Sequence, residues 1–195
     1  FQAAGADLAH HCRVLNAMRL NENAKLVMHI GGSYGDKRES LERFFDNWAR
    51  LPAGNAKRMT LENDDKTYTA AETLNVCEKL QLPMVWDIHH DLCNHEQKRD
   101  TNDLYARFAA AWKNTGLPPK IHVSSPKTKQ KLRSHHDYVE AGHVYPFLHA
   151  VQKHTDRLDV MVEAKQKDRA MLQLVRDLCQ YPCVQLHNRA SLEIQ

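Results

Sequence analysis

The sequence predicts an α/β fold built on a parallel sheet, and three observations predict it. Five short apolar runs recur along the chain, each rich in Val, Ile, Leu or Met and bounded by polar, Pro or Gly residues, as buried parallel strands are. Amphipathic segments of helix length separate them. Strand and helix alternating with crossovers of this length give right-handed βαβ units.

The elements follow in order. Residues 3–20 read as a helix with Leu8, Val14, Leu15, Met18 and Leu20 as apolar positions. The chain starts at Phe1 rather than Met and runs straight into this helix, so it reads as entered partway through, and a targeting segment upstream stays open. The strand runs are AKLVMHI (24–30), AKRMTLE (56–62), LPMVWDI (82–88), PKIHVSS (119–125) and LDVMVEA (158–164). In the helical segment 36–51, Leu41, Phe44, Phe45, Trp48 and Leu51 share one stripe. Segment 69–81 opens on Thr69 with Glu72 three residues on, the spacing of a capping box. Segment 101–116 carries Leu104, Tyr105, Phe108 and Trp112 and stops at Gly116. Segment 165–180 closes the series. Residues 126–154, rich in His and Lys, read as a loop followed by a helix. Beyond Cys183 the reading is either one more strand over 183–187 or a tail. With neither a tandem repeat nor a linker, residues 1–195 are expected to form a single domain.

Composition narrows the function classes. A net charge of +3 permits a nucleic-acid partner without arguing for one. No apolar run approaches the roughly 18 residues of a membrane span, so no membrane partner is expected. The five cysteines are odd in number and form no Cys-x-x-Cys, which fits reduced thiols better than a disulfide framework or zinc ribbon. Histidine is abundant, with 13 in 195 residues, and its usual work is metal binding and proton transfer near neutral pH.

The ends of the strand runs carry the chemistry. They finish at His29, at Glu62, at Asp87 with His90 just beyond, around His122, and at Glu163. Parallel strands place their C-terminal ends on one side, and in a closed barrel those ends converge on one mouth. Carboxylates and imidazoles without thiolates suit Zn²⁺, Mn²⁺ or Fe²⁺. Three gathered acids repel one another, and divalent ions remove that cost. Two or more such ions can also bind a phosphodiester and activate water. Lys120, two residues before His122, shares its strand face and either neutralises the acids or reaches solvent. His89 has the opposite parity to Asp87 and is left unassigned. RSHHDYV (133–139) offers His135, His136 and Asp137 as further candidates. The glycines of HIGGSYGDK (29–37) fit a tight strand-to-helix turn better than a phosphate loop.

Taken together, HIGGSYGDK, LENDD, VWDIHHD, KIHVSSPK, RSHHDYV and VEAKQKD resemble the UV damage endonucleases of the UvdE/UvsE type, in order along nearly the whole chain. The resemblance implies a TIM-type barrel related to endonuclease IV and xylose isomerase, here incomplete, with about five to six of eight βα units. It implies incision of UV-damaged double-stranded DNA immediately 5′ to photoproducts, leaving a 3′-hydroxyl and a 5′-phosphate. It implies up to three divalent ions, manganese favoured and zinc or magnesium as alternatives. The implied ligands are His29, Glu62, Asp87, His90, His122, His135 and Glu163, with His135 preferred over His136. Glu62, Lys120 and Glu163 are the implied catalytic residues, Glu62 bridging metals and Lys120 matching a lysine that is carboxylated in the family. The family carries a long stretch ahead of the first motif, with further strands, metal ligands and damage-probing side chains. The chain is therefore expected to be the C-terminal portion of such a barrel, and to be inactive and poorly soluble by itself. The complete protein is expected to be monomeric and, in a bacterium, cytoplasmic at the nucleoid.

Lys127, Lys129, Lys131 and Arg133 are expected to contact phosphates. A sugar isomerase or epimerase on the same barrel type is the alternative. The basic run 125–136 and the extra imidazoles His90 and His135 argue against it. A non-catalytic remnant is the third reading.

Overall fold

The computed structural model describes residues 2–97 and 99–195. Five parallel strands form one sheet in the order in which the chain makes them: β1 (Leu26–His29), β2 (Met59–Glu62), β3 (Met84–Asp87), β4 (Lys120–Val123) and, last, β7 (Asp159–Val162). Each corresponds to one of the five apolar runs. Strands β2 and β3 are buried at every residue, while β1 and β7 are the half-exposed sheet edges. This is why an unbroken apolar run, not an alternating one, marks the central strands.

The crossovers are helical. They are α2 (Lys37–Ala49) with the short α3 (Ala53–Ala56), α4 (Ala70–Leu80), α5 (Ile88–Cys93) with α6 (Thr101–Trp112), α7 (Ala141–Val151) and, after β7, α8 (Asp168–Leu178). The first helix, α1 (Gln2–Ala17), is tied to the sheet by the buried Arg58, whose Nη2 donates to Asn16 Oδ1 at 2.7 Å and to the Leu20 carbonyl at 2.8 Å. The capping box of α4 forms as its spacing predicts: Glu72 N–H donates to Thr69 Oγ1 and Thr69 N–H to Glu72 Oε2. Helix α6 ends at Trp112, a tighter turn covers Lys113–Thr115, and Gly116 supplies the left-handed stop at φ 70°.

The core lies on the helix-facing side of the sheet. Trp86 of β3 is fully buried, its ring 5.4–5.6 Å from those of Tyr105, Phe108 and Phe147. Trp112 Nε1 donates to the Met84 carbonyl at 2.6 Å and pins α6 to β3. Outward Trp86 requires its strand neighbours Val85 and Asp87 to face the other way, and the parallel register sets Lys120 and His122 beside them.

One segment departs from expectation, and one open alternative is resolved. The stretch expected as a loop forms an antiparallel hairpin, β5 (Pro126–Thr128) with β6 (Lys131–His135), before the expected helix α7. Beyond Cys183 the strand alternative holds: β8 (Val184–Asn188) forms and pairs with a further strand, β9 (Ser191–Ile194), in a second hairpin apart from the main sheet. All five cysteines are free. Among the described residues no helix is long and apolar enough to cross a membrane.

Candidate metal centre

The strand ends meet. Glu62, the last residue of β2, is the hub: its Oε1 lies 2.8 Å from His122 Nδ1 and 3.7 Å from His90 Nδ1, and its Oε2 is 3.7 Å from His29 Nε2. His122 Nδ1 is also 3.1 Å from Glu163 Oε1, and Glu163 Oε2 is 3.9 Å from His135 Nδ1. Among the described residues two groups have oxygens and nitrogens close enough to share an ion, Glu62–Asp87–His90 and Glu62–His122–Glu163. His29 and His135 flank them, with rings 5.5 Å and 6.5 Å from that of His90. All seven residues expected as ligands thus lie in one connected cluster.

Local structure explains how each side chain is held. Asp87 caps α5, accepting from His90 N–H at 2.7 Å through Oδ1. Where the β2–β3 ladder stops, Asn63 continues it with its side chain. Its Nδ2 donates to the Asp87 carbonyl and its Oδ1 accepts from Asp87 N–H, both at 2.9 Å. His29 Nδ1 donates to the Glu62 carbonyl at 3.1 Å and His90 Nδ1 to the Asn63 carbonyl at 2.9 Å. A ring that gives its Nδ1 proton to a backbone carbonyl leaves Nε2 bare, the arrangement found in metal-ligating histidines. Gly31, at φ 110°, and Gly35, at φ 93°, turn the chain sharply after His29, consistent with a strand-to-helix turn.

The electrostatics fit a cation. Asp87 is fully buried and its Oδ2 has no hydrogen-bond partner among the described residues. Burial, more than its acidic neighbours, pushes its carboxyl up to about 7, with His90 pulling the other way. Burial alone would lower His122, but hydrogen bonds to Glu163 and Glu62 outweigh it and push the imidazole up to about 10. The same contact holds Glu163 below its ordinary value. Without an ion, the acids are relieved by protons and by one imidazolium; a divalent ion does the same work without them.

Lys120 is not brought into this group. Its register places it on the same face as His122, but its ammonium pairs with Asp159 at the start of β7 and lies 5.9 Å from the Trp112 ring centroid. His136 turns away from the acids, its Nδ1 accepting from Tyr138 N–H at 3.1 Å. The sequence reading missed two buried residues that shape the site, Asn63 and His89. Asn63 has no periodic signature, though it stands in the LENDD motif. His89 had only an ambiguous parity.

Fold and cluster together define a parallel α/β protein with a carboxylate–imidazole site at its strand ends that can hold divalent metal. The UV-endonuclease UvdE family profile matches residues 2–195. The UV DNA damage endonuclease of Bacillus pumilus is 46% identical over 172 residues, covering 88% of this chain and 54% of the relative. That of Bacillus cereus strain ATCC 10987 is 40% identical over 187 residues, covering 96% and 59%. The crystal structure of SacUVDE superposes with a TM-score of 0.78 at 27% identity, covering 92% of this chain and 58% of that one. The chain belongs to the UV-endonuclease UvdE family. It spans a little over half the length of these relatives, and its five-stranded sheet is an incomplete TIM-type barrel.

Proposed function

We propose that this chain, acting as one domain, forms the C-terminal part of a metal-dependent DNA repair endonuclease. The complete protein incises duplex DNA immediately 5′ to UV photoproducts and leaves a 3′-hydroxyl and a 5′-phosphate. It works as a monomer, in the bacterial cytoplasm. The observation that carries this reading is the convergence of Glu62, Asp87 and His122, on three different strands, and Glu163, just after a fourth, on one cluster in a chain of this family.

The donor set fits hard or borderline divalent ions. Glu62, Asp87 and His90 would hold one ion and Glu62, His122 and Glu163 another, with His29 and His135 at the flanks. Manganese is favoured, with zinc or magnesium as alternatives and up to three ions in the whole protein. Bound ions supply Lewis acidity toward a phosphodiester and a nucleophile at neutral pH. Glu62, shared by both groups, fixes their separation. Glu163 and Asp87 balance the charge, and the hydrogen bonds of Asn63 and of the α5 cap keep Asp87 from swinging away. Lys120 stands two residues from His122 on the same face and is the remaining candidate for a catalytic role, once its ammonium leaves Asp159.

The basic hairpin separates this reading from a sugar isomerase. Lys127, Lys129, Lys131 and Arg133 are all exposed on β5, β6 and their turn, next to His135 of the cluster. They would hold backbone phosphates, which an isomerase has no use for.

The test replaces the homologous portion of the Bacillus pumilus relative with this chain and loads Mn²⁺. UV-irradiated plasmid should be nicked, unirradiated plasmid left intact, and Glu62→Gln should abolish nicking. A folded, metal-loaded chimaera that leaves irradiated plasmid closed would overturn the proposal, and ketose formation from an aldose would favour the isomerase.

A further inference from the structure

We infer that His89 is a positioning residue that pins the basic hairpin to the rim of the cluster, making the hairpin a preset bracket for backbone phosphates. This rests on the DNA reading above. His89 lies in α5, next to His90, and only 2% of it is exposed. Its Nε2 donates to the Leu132 carbonyl in β6, and its Nδ1 lies 2.5 Å from Ser124 Oγ just beyond β4. A carbonyl only accepts, so the ring proton is on Nε2 and Nδ1 accepts from the serine hydroxyl. Both nitrogens are engaged. That separates His89 from His29 and His90, which leave one nitrogen bare.

The hairpin needs such a pin. Two short strands are not stable alone in water, and this pair has no apolar core beneath it. Every residue from Lys127 to Ser134 is exposed, Leu132 by 51%. Polar contacts, not apolar packing, attach it. Arg133 Nε is 3.4 Å from Asp65 Oδ2, an ion pair whose side chains are 56% and 32% exposed and which is therefore weak. The bond from His136 N–H to the Ser125 carbonyl, 2.8 Å, joins the hairpin's own two strands at its open end and does not attach it to the body. The His89 contact comes from a buried ring and grips β6 at Leu132, and a buried imidazole left without its partner is costly. The same strand ends at His135, whose ring is 5.4 Å from that of His89 and whose Nδ1 faces Glu163. The hairpin backbone that carries the lysines is thereby set at a fixed distance from the cluster, which keeps their ammonium groups within reach of a phosphate next to the scissile one.

Amide hydrogen exchange on the full-length chimaera described above, with affinity for a short duplex oligonucleotide, tests this. His89→Phe should speed exchange at residues 131–135 about tenfold and weaken duplex affinity by a similar factor, about the value of one hydrogen bond. Protection in β2, β3 and β4 should persist. His89→Gln, which can still donate to the Leu132 carbonyl, should restore most of both. Ser124→Ala, which frees the ring to turn, should speed hairpin exchange several-fold. Unchanged hairpin exchange in His89→Phe overturns the inference, as does a Gln variant as loose as Phe. Should His89→Phe fail to fold, Ser124→Ala decides alone, and hairpin protection unchanged there also overturns it. If the chimaera without these substitutions binds no duplex, the DNA reading fails while the exchange data still judge the pin.

Discussion

Glu62→Gln is the sharpest probe of the cluster. The substitution keeps shape and removes one charge from a side chain that belongs to both candidate ion groups. Removing a mere orienting partner of a metal ligand typically costs 10–100-fold in affinity, so losing a direct, shared carboxylate should cost at least about 100-fold, or about 2.7 kcal/mol, at each position. Asp87→Asn touches only the group with His90, and Glu163→Gln only the group with His122. Isothermal titration of the chelator-treated chain with Mn²⁺, paired with electron paramagnetic resonance of free Mn²⁺, counts the sites. Two are expected in the wild type, one each in Asp87→Asn and Glu163→Gln, and none of comparable affinity in Glu62→Gln. Tight, unaltered Mn²⁺ binding by Glu62→Gln would refute the shared-carboxylate geometry. Equal losses in all three variants would refute the division into two groups.

Acidity gives a second expectation. In the chelator-treated chain, burial raises Asp87 from its ordinary 3.8 to about 7, so stability falls as pH climbs through that window. His122, raised from 6.5 to about 10, contributes stability that is full below 6.5 and is lost by about 10. Both slopes have the same sign, so the melting temperature in chelator should fall from pH 5 to pH 10, and saturating Mn²⁺ should flatten or reverse the trend; a rise in chelator would contradict the charge balance described. Thr69→Ala removes the α4 capping box and the hydroxyl's hydrogen bond to Glu96, and urea denaturation should register a loss of about 1–2 kcal/mol. Phe108→Ala empties a fully buried position against Trp86 and Phe147 and should cost about 3–5 kcal/mol by the same measurement. Replacing Lys127, Lys129 and Lys131 together by alanine should reduce the salt dependence of duplex binding by about 0.9 in log–log slope for each phosphate no longer neutralised, read by fluorescence anisotropy at several salt concentrations.

The sheet was legible because its central strands are buried on both faces. Runs such as MVW and KIHV then differ from every neighbouring segment in composition alone, and strand direction follows from the helix lengths between them. The cluster was legible for a related reason: a parallel sheet gathers strand ends, so His29, Glu62, Asp87, His122 and Glu163 needed only their positions in the runs. The hairpin β5–β6 was not legible. Its residues from 127 to 134 are exposed and, apart from Leu132, polar, so neither period nor composition separates it from a solvated loop; the pairing of Pro126 with His135 and Thr128 with Lys131 leaves no mark on the sequence pattern. Lys120 shows the limit of parity. Backbone register fixed its face correctly, but four methylenes let the ammonium reach Asp159 instead of the acids.

The placement of the cluster within the sheet sets the order in which it would come apart. Glu62, Asp87 and His122 stand on β2, β3 and β4, each hydrogen-bonded to a strand on both sides, whereas His29 belongs to the outer strand β1 and Glu163 follows the outer strand β7. Fraying begins where ladders are one-sided. The central trio is therefore an anvil that keeps its shape while His29 and Glu163 act as jaws, loosening first and closing when neighbouring backbone, or an ion, ties the two margins down.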